Sequence, residues 1–243
     1  MRQIIAKDNI CAVNEEILAQ ARSAACGGTL SPVLIIVPDR FTLQAEKILM
    51  RDTKALLNVR VLTFSMLYNL VHEELAGFEQ VLENRVLDKT SAVLFMWRAI
   101  QSVCGDLVYF GKSVDQYAFA EKMFNTVNQL KSCNADFDNL EKNSKTESVT
   151  RRKMHDIMKI QHKYAELTKE YTDSAGALGW LIENAGKSKT IKQAHVFITG
   201  FEHLSVQRAE VVRVLARVAK TFTAGTRKDS EIEGLYNEVS FAM

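Results

Sequence analysis

The chain has 243 residues, 47% hydrophobic and 25% charged, which excludes disordered, collagenous and other fibrous classes and leaves enough apolar sequence for a real core. Two Pro and 11 Gly are too few for a turn-rich all-β protein, so long helices are expected, in one large domain or in a core carrying an insertion. A formal net charge of +2, from 31 basic and 29 acidic residues, is not that of a phosphate-coating surface and neither demands nor excludes DNA.

In chain order, residues 14–25 read as a helix with Ile17, Leu18 and Ala21 on one stripe. Pro32 to Pro38 encloses the β-branched run Val33-Leu34-Ile35-Ile36-Val37, a buried parallel strand. A tight turn at Asp39-Arg40-Phe41-Thr42 follows, then a helix from Leu43 to Met50. Val59 to Phe64 gives a second strand, and Ser65 is placed to cap the helix carrying Leu67, Leu70 and Val71. Strand-helix-strand-helix at this spacing indicates parallel strands in an α/β unit.

From about residue 86 the pattern is helical. Val93, Trp97, Ile100, Cys104 and Leu107 form one stripe, and Ala120, Met123, Phe124, Val127 and Leu130 form a second. Ile157, Ile160, Tyr164, Leu167 and Tyr171 form a third, and the polar stretch Ser132 to Thr150 reads as a loop or short helix. Strand character returns at His195 to Thr199, followed by a helix from about Ser205 to Ala219 and a strand over Lys220 to Ala224. The expected division is therefore an α/β core of residues 1–85 with 190–243, interrupted by a helical subdomain over 86–189. Asp229 to Met243 shows no clear closing element, as in a piece of a longer protein.

Cys11, Cys26, Cys104 and Cys133 are far apart and lack CxxC or Cys/His ligand spacing, so buried, reduced thiols are expected and no metal site. His155 and His162, without a ligand at metal spacing, read as structural. No apolar run approaches the roughly 18 residues of a membrane span, and no basic segment with an apolar core and cleavage site opens the chain. A cytoplasmic protein without a membrane partner is expected.

An α/β core with a helical insertion invites a P-loop reading. A phosphate cradle needs GxxxxGK[ST], in which glycines let backbone N–H groups face the phosphates, the Lys neutralises them and the hydroxyl holds Mg²⁺. Ile4 to Asn14, the segment before the first helix, has no glycine, and Gly27-Gly28-Thr29 follows that helix as a connecting turn. Glu202 is the only carboxylate where the strand His195 to Thr199 ends, too little for a metal–phosphate site, and reads as a solvated loop residue.

Four blocks occur in register. They are Val37-Pro38-Asp39-Arg40-Phe41-Thr42-Leu43-Gln44-Ala45-Glu46; Val61 to Leu67; Lys153-Met154-His155-Asp156 with Tyr164, Tyr171 and Asp173; and Val196-Phe197-Ile198-Thr199-Gly200-Phe201. Together they resemble the N-terminal region of the B subunit of AddAB/RexAB-type helicase-nucleases, from about residue 30 to 225, in the RexB-like variant without a Walker A loop. The resemblance implies a RecA-like, superfamily-1-helicase-like parallel sheet that has lost motor function, interrupted by an all-helical subdomain. It implies an A subunit of AddA/RexA type as heterodimer partner, and single-stranded and double-stranded DNA ends as substrate in double-strand-break repair. It also implies an iron-sulphur cluster and nuclease Mg²⁺ in a C-terminal domain for which 243 residues leave no room, so this chain alone is expected to carry no cofactor and to be neither motor nor nuclease.

In the family, loops at the strand ends face single-stranded DNA and help recognise the Chi sequence; the matching positions here are Thr42, Phe64 and Phe201. Strand C-terminal ends of an open parallel sheet converge on one crevice, which places 39–42, 63–66 and 199–202 on the same edge. Phe64 and Phe201 are candidates for base stacking, with Arg40, Thr42 and Ser65 for backbone or base-edge contacts; the competing reading packs both Phe rings into the core. Met66 and Asn69 stand where family members commonly have Arg and an aromatic residue. Arg151, Arg152 and Lys153, with Lys159 and Lys163 beyond, and Lys187, Lys189 and Lys192 are candidate phosphate contacts or else a solvated face. Two other function classes stay open: a nucleotide-dependent α/β enzyme with a non-standard site, and a purely structural docking module.

Overall fold

The computed structural model describes residues 1–27, 31–51, 56–76, 86–133 and 149–227. The expected turn at Gly28-Thr29, most of the polar stretch 132–150 and the unclosed segment 229–243 lie outside the described residues. Two compact units are present, residues 1–82 with 177–243, and residues 83–176.

The first unit is α/β. Its strands β1 (Arg2–Lys7), β2 (Val33–Ile36), β3 (Val59–Leu62), β4 (His195–Ile198) and β5 (Thr221–Arg227) form one parallel sheet in the order β1-β5-β4-β2-β3. All four residues of β2 are buried, because the sheet is covered on both faces and the period-2 alternation feeds both. Leu34 and Ile36 join Val196, Ile198, Phe222 and Ala224 under α3 (Phe64–Leu75), α7 (Ser174–Asn184) and α9 (Val206–Val218). Val33, Ile35 and Val37 join Phe197 under α1 (Ile10–Cys26) and α2 (Thr42–Leu49). Each such Ile or Leu contributes about 1.5–3 kcal/mol of burial. The strand β1 was not legible in the sequence: it is an edge strand in which only Ile5 is buried, and Arg-Gln-Ile-Ile-Ala-Lys shows no alternation of apolar and polar residues.

Two glycines are placed by geometry. Gly200 follows β4 with φ of 83°, and a Cβ there would lie 3.0 Å from Phe41 Cδ1 and 3.1 Å from Pro38 Cδ. Gly225 of β5 admits α1 against the sheet, since a Cβ would lie 2.6 Å from Val13 Cγ1. Nearby, the Thr199 hydroxyl donates to Asn14 Oδ1 at 2.7 Å inside the core, tying α1 to the end of β4.

The second unit packs α4 (Lys89–Val103), α5 (Tyr117–Ser132) and α6 (Val149–Leu167) around Ala92, Met96, Ile100, Phe124, Val127, Ile160 and Tyr164. Burial and the Asp173 carboxylate push the Tyr164 hydroxyl above the ordinary tyrosine range. Lys131 neutralises that carboxylate at 2.9 Å and lies 5.4 Å from the Tyr164 ring centroid.

Several sequence expectations are corrected. The helical insertion is expected to run to residue 189, but the chain from Ala177 onward belongs with the sheet, because Leu181, Ala185 and Ile191, the last in the short helix α8 (Lys189–Gln193), bury their side chains in the sheet-side core. Thr63, not Ser65, caps α3: its hydroxyl accepts from the Met66 amide at 3.3 Å, two residues earlier in the chain than expected. Trp97 is 39% exposed, because the buried stripe of α4 runs through Ala92, Val93, Met96 and Ile100. All four cysteines are exposed, since Cys11, Cys26, Cys104 and Cys133 all sit at helix ends, where the chain is at the surface.

Candidate nucleic-acid interface

In a parallel sheet every strand delivers its following loop to the same edge, so three sequence-distant segments meet. Residues 37–40 after β2, 63–65 after β3 and 200–203 after β4 line a cleft of about 340 Å³, closed by Arg208 from the first turn of α9. A second cleft of about 320 Å³ adjoins it, lined by Ile10, Cys11, Asn14 and Glu15 of α1, Phe41, Gln44 and Ile48; Arg40, Gly200 and Glu202 belong to both.

The expected residues divide by position. Arg40 stands between the clefts, its guanidinium 3.6 Å from Glu202, both side chains well exposed. Glu202 is thus paired, where the sequence suggested a simple solvated loop residue. Ser65 is exposed and lines the first cleft. Thr42 does not line it; the hydroxyl donates to the Asp39 carbonyl at 3.0 Å and helps start α2. Phe64 and Phe201 are 7% and 5% exposed, their ring centroids 5.5 Å apart. Both line the cleft, but so nearly buried that little ring surface is left for a base to cover. Arg151, Arg152 and Lys153 lie on α6 in the other unit: the arginines are exposed, and Lys153 Nζ sits 4.8 Å from the Tyr109 ring centroid. Of the other candidate lysines, Lys159 donates to the Asp106 carbonyl, Lys163 pairs with Glu166 and Lys187, in the sheet unit, donates to Asn184.

Sequence reasoning missed Arg208. Its guanidinium lies 5.7 Å from the Phe64 ring centroid and faces the cleft. A signal was present: Ser205 caps α9, so Arg208 is a cation in a first turn, where the helix dipole disfavours positive charge. Such placement is a cost that an anionic ligand offsets.

The second cleft lies where β1 passes into α1, the position at which a P-loop would sit. The junction is only Asp8-Asn9, and the Asn9 side chain already accepts from the Cys11 amide at 2.8 Å. With no glycine at the β1–α1 junction, no lysine lining the cleft and Glu15 in its wall, these residues do not fit a nucleoside triphosphate and its metal. Among the described residues no group of three or more His, Cys, Asp or Glu side chains is placed to hold a metal ion. Among them also, no helix is long and apolar enough to cross a membrane.

The family described as "ADDB, N-terminal" matches residues 10–239. The chain belongs to this AddB N-terminal family. Its α/β architecture, with an all-parallel five-stranded sheet, is consistent with a helicase-like fold. Curated relatives are named as the B subunit of an ATP-dependent helicase/deoxyribonuclease. The protein of Lachnoclostridium phytofermentans is 27% identical over 202 residues, 81% of this chain and 17% of its own length. That of Staphylococcus saprophyticus is 25% identical over 237 residues, 94% of this chain and 20% of its own. That of Thermoanaerobacter pseudethanolicus is 27% identical over 214 residues, 84% and 18%. The chain thus spans about a fifth of the length of these AddB-type relatives.

Proposed function

We propose that this AddB N-terminal region is a helicase-like scaffold without motor function that guides single-stranded DNA within a cytoplasmic helicase-nuclease, acting on double-strand-break ends beside an A subunit that supplies the motor. The observation that carries this reading is the convergence of three strand-end loops and Arg208 on one cleft at the C-terminal edge of the sheet. Arg40 and Arg208 provide charge for phosphates, while Ser65 and the cleft-facing backbone provide hydrogen bonds. Chi scanning belongs to the same reading, with base edges read against the cleft wall rather than stacked on exposed rings. The iron-sulphur cluster and nuclease Mg²⁺ that the family resemblance implies are given no residue of this chain, and neither is a triphosphate at the β1–α1 junction.

Fluorescence anisotropy of an oligothymidylate titrated with the full chain tests the proposal. Arg208→Gln is expected to weaken binding and to reduce the slope of log affinity against log salt by about 0.7, the single-strand value for one phosphate contact. Unchanged affinity and slope in both Arg208→Gln and Arg40→Gln would remove the cleft from the DNA path.

A further inference from the structure

In the helical unit the loop Val108-Tyr109-Phe110 is held in an unusual way. Asp156 of α6 is fully buried and accepts from three successive amides, Val108 N at 3.0 Å, Tyr109 N at 2.7 Å and Phe110 N at 2.9 Å. A carboxylate is costly to bury and is tolerated when its oxygens are satisfied by hydrogen bonds, as they are here by three consecutive donors. What it fixes in place is not core. Val108 is 62% exposed and Tyr109 41% exposed, while Phe110 turns inward against Phe119, the ring centroids 5.2 Å apart. The loop is therefore clamped from below in a shape that holds an aromatic ring out to solvent. Tyr109 is braced edge-on by Phe110, with centroids 5.0 Å apart and planes at 84°.

Basic side chains accompany the ring. Lys153 Nζ lies 4.8 Å from the Tyr109 ring centroid, and Arg151 and Arg152 are exposed beside it in the first turns of α6. Lys112, in the turn that follows the loop, is exposed as well. Arg151 and Arg152, in the first turn of the helix, oppose its dipole, and that turn holds no acid to offset them. A polyanion offsets that cost, and an aromatic face among cations is the combination that takes unstacked bases with their phosphates.

We propose that Tyr109, with Lys153, Arg151 and Arg152, is a stacking platform for a base of single-stranded DNA, a second contact surface carried by the helical unit. The inference rests on the reading that this chain handles single-stranded DNA, but it uses none of the cleft residues. The base covers the exposed part of the Tyr109 ring, the ammonium of Lys153 and the guanidinium groups of Arg151 and Arg152 meet the adjoining phosphates, and Asp156 acts as a positioning residue by holding the loop.

The test uses the full chain, an oligothymidylate, and the same oligonucleotide carrying 5-iododeoxyuridine for photocrosslinking. Tyr109→Ala is expected to weaken binding by between about fivefold and a hundredfold, the range for loss of one stacked base, and Tyr109→Phe to bind within about twofold of wild type. Mass spectrometry of the irradiated complex is expected to find the adduct at Tyr109. Wild-type affinity in Tyr109→Ala, with adducts elsewhere, overturns the platform; if Arg208→Gln still weakens binding, the cleft reading survives that loss. Weakening by Tyr109→Ala with none by either Arg208→Gln or Arg40→Gln keeps the platform and removes the cleft, and a wild-type chain that does not bind the oligonucleotide removes both. A Tyr109 variant that changes binding of a protein partner but not of the oligonucleotide makes the loop a docking surface and overturns the proposal.

Discussion

The rings of Phe64 and Phe201 meet at 5.5 Å between centroids, tilted by 54°, and join the start of α3 to the loop after β4. Both are nearly buried in the core under α3 and α9. Phe64→Ala or Phe201→Ala is therefore expected to cost about 3–5 kcal/mol of stability, the range for truncating a buried Phe. Denaturant titration checks this, and Phe→Leu at either position should recover most of the loss. Full stability in the Ala variants would mean that the rings are free surface residues.

The exposed Arg40–Glu202 pair sits where the two clefts join, so a phosphate approaching Arg40 competes with a carboxylate already there. Glu202→Gln is expected to tighten oligothymidylate binding by about twofold to fivefold, in keeping with the 0.2–1 kcal/mol of an exposed pair. In an Arg40→Gln background the gain should vanish. Glu15→Gln, an equal change of charge in the second cleft, tests for a general field effect and should change little.

Gly225 is fixed by the approach of α1. A Cβ there would stand 2.6 Å from Val13 Cγ1, 3.0 Å from Thr199 Oγ1 and 3.1 Å from Ile17 Cγ1, so Gly225→Ala should destabilise by about 1–3 kcal/mol through overpacking. At Gly186 the nearest atom is Val218 Cγ2 at 3.8 Å, an ordinary contact, and Gly186→Ala should leave the melting temperature close to wild type.

His195 and Glu74 each make stability fall with acid, in separate windows. Burial and the nearby Lys220 lower the pKa of His195, whose Nδ1 pairs with Thr221 Oγ1 at 2.8 Å. As pH falls through 6.5 the unfolded chain takes up a proton that the folded chain resists, and stability declines. Partial burial works against the Glu74 carboxylate, but the Ser188 hydroxyl and the Thr190 and Lys189 amides outweigh it and hold the pKa below 4.5. That contribution is present above pH 4.5 and is lost as pH falls through the lowered value. His195→Gln should flatten the upper window and Glu74→Gln the lower, as measured by chemical denaturation across pH.

Much of the core was legible because its signals are local. The run Val33 to Val37 is short, rich in β-branched residues and flanked by two prolines, which favours a buried strand, and Ile17, Leu18 and Ala21 repeat at helical spacing. The strand β1 was illegible because its pairing with β5 is made by backbone, and backbone hydrogen bonds leave no mark on side-chain pattern. The boundary at Ala177 was illegible for a related reason: α7 is apolar on the face it gives to the sheet, and sequence does not say which neighbour an apolar face will meet.

The same division holds at the site. Residue order and the parallel topology it implies were enough to expect 39–42, 63–66 and 199–202 on one edge, since every strand of a parallel sheet ends there, and 37–40, 63–65 and 200–203 line the cleft. Which side chains remain available on that edge was decided by tertiary packing. Core volume claimed Phe64 and Phe201, local backbone claimed the Thr42 hydroxyl, and the turn into α9 brought Arg208 over Phe64. The Tyr109 loop is the furthest case, because its shape depends on a carboxylate that is distant in sequence and visible only as three hydrogen bonds. Sequence periodicity reports which residues seek the interior, and only the folded chain shows how the competition for that interior leaves the surface.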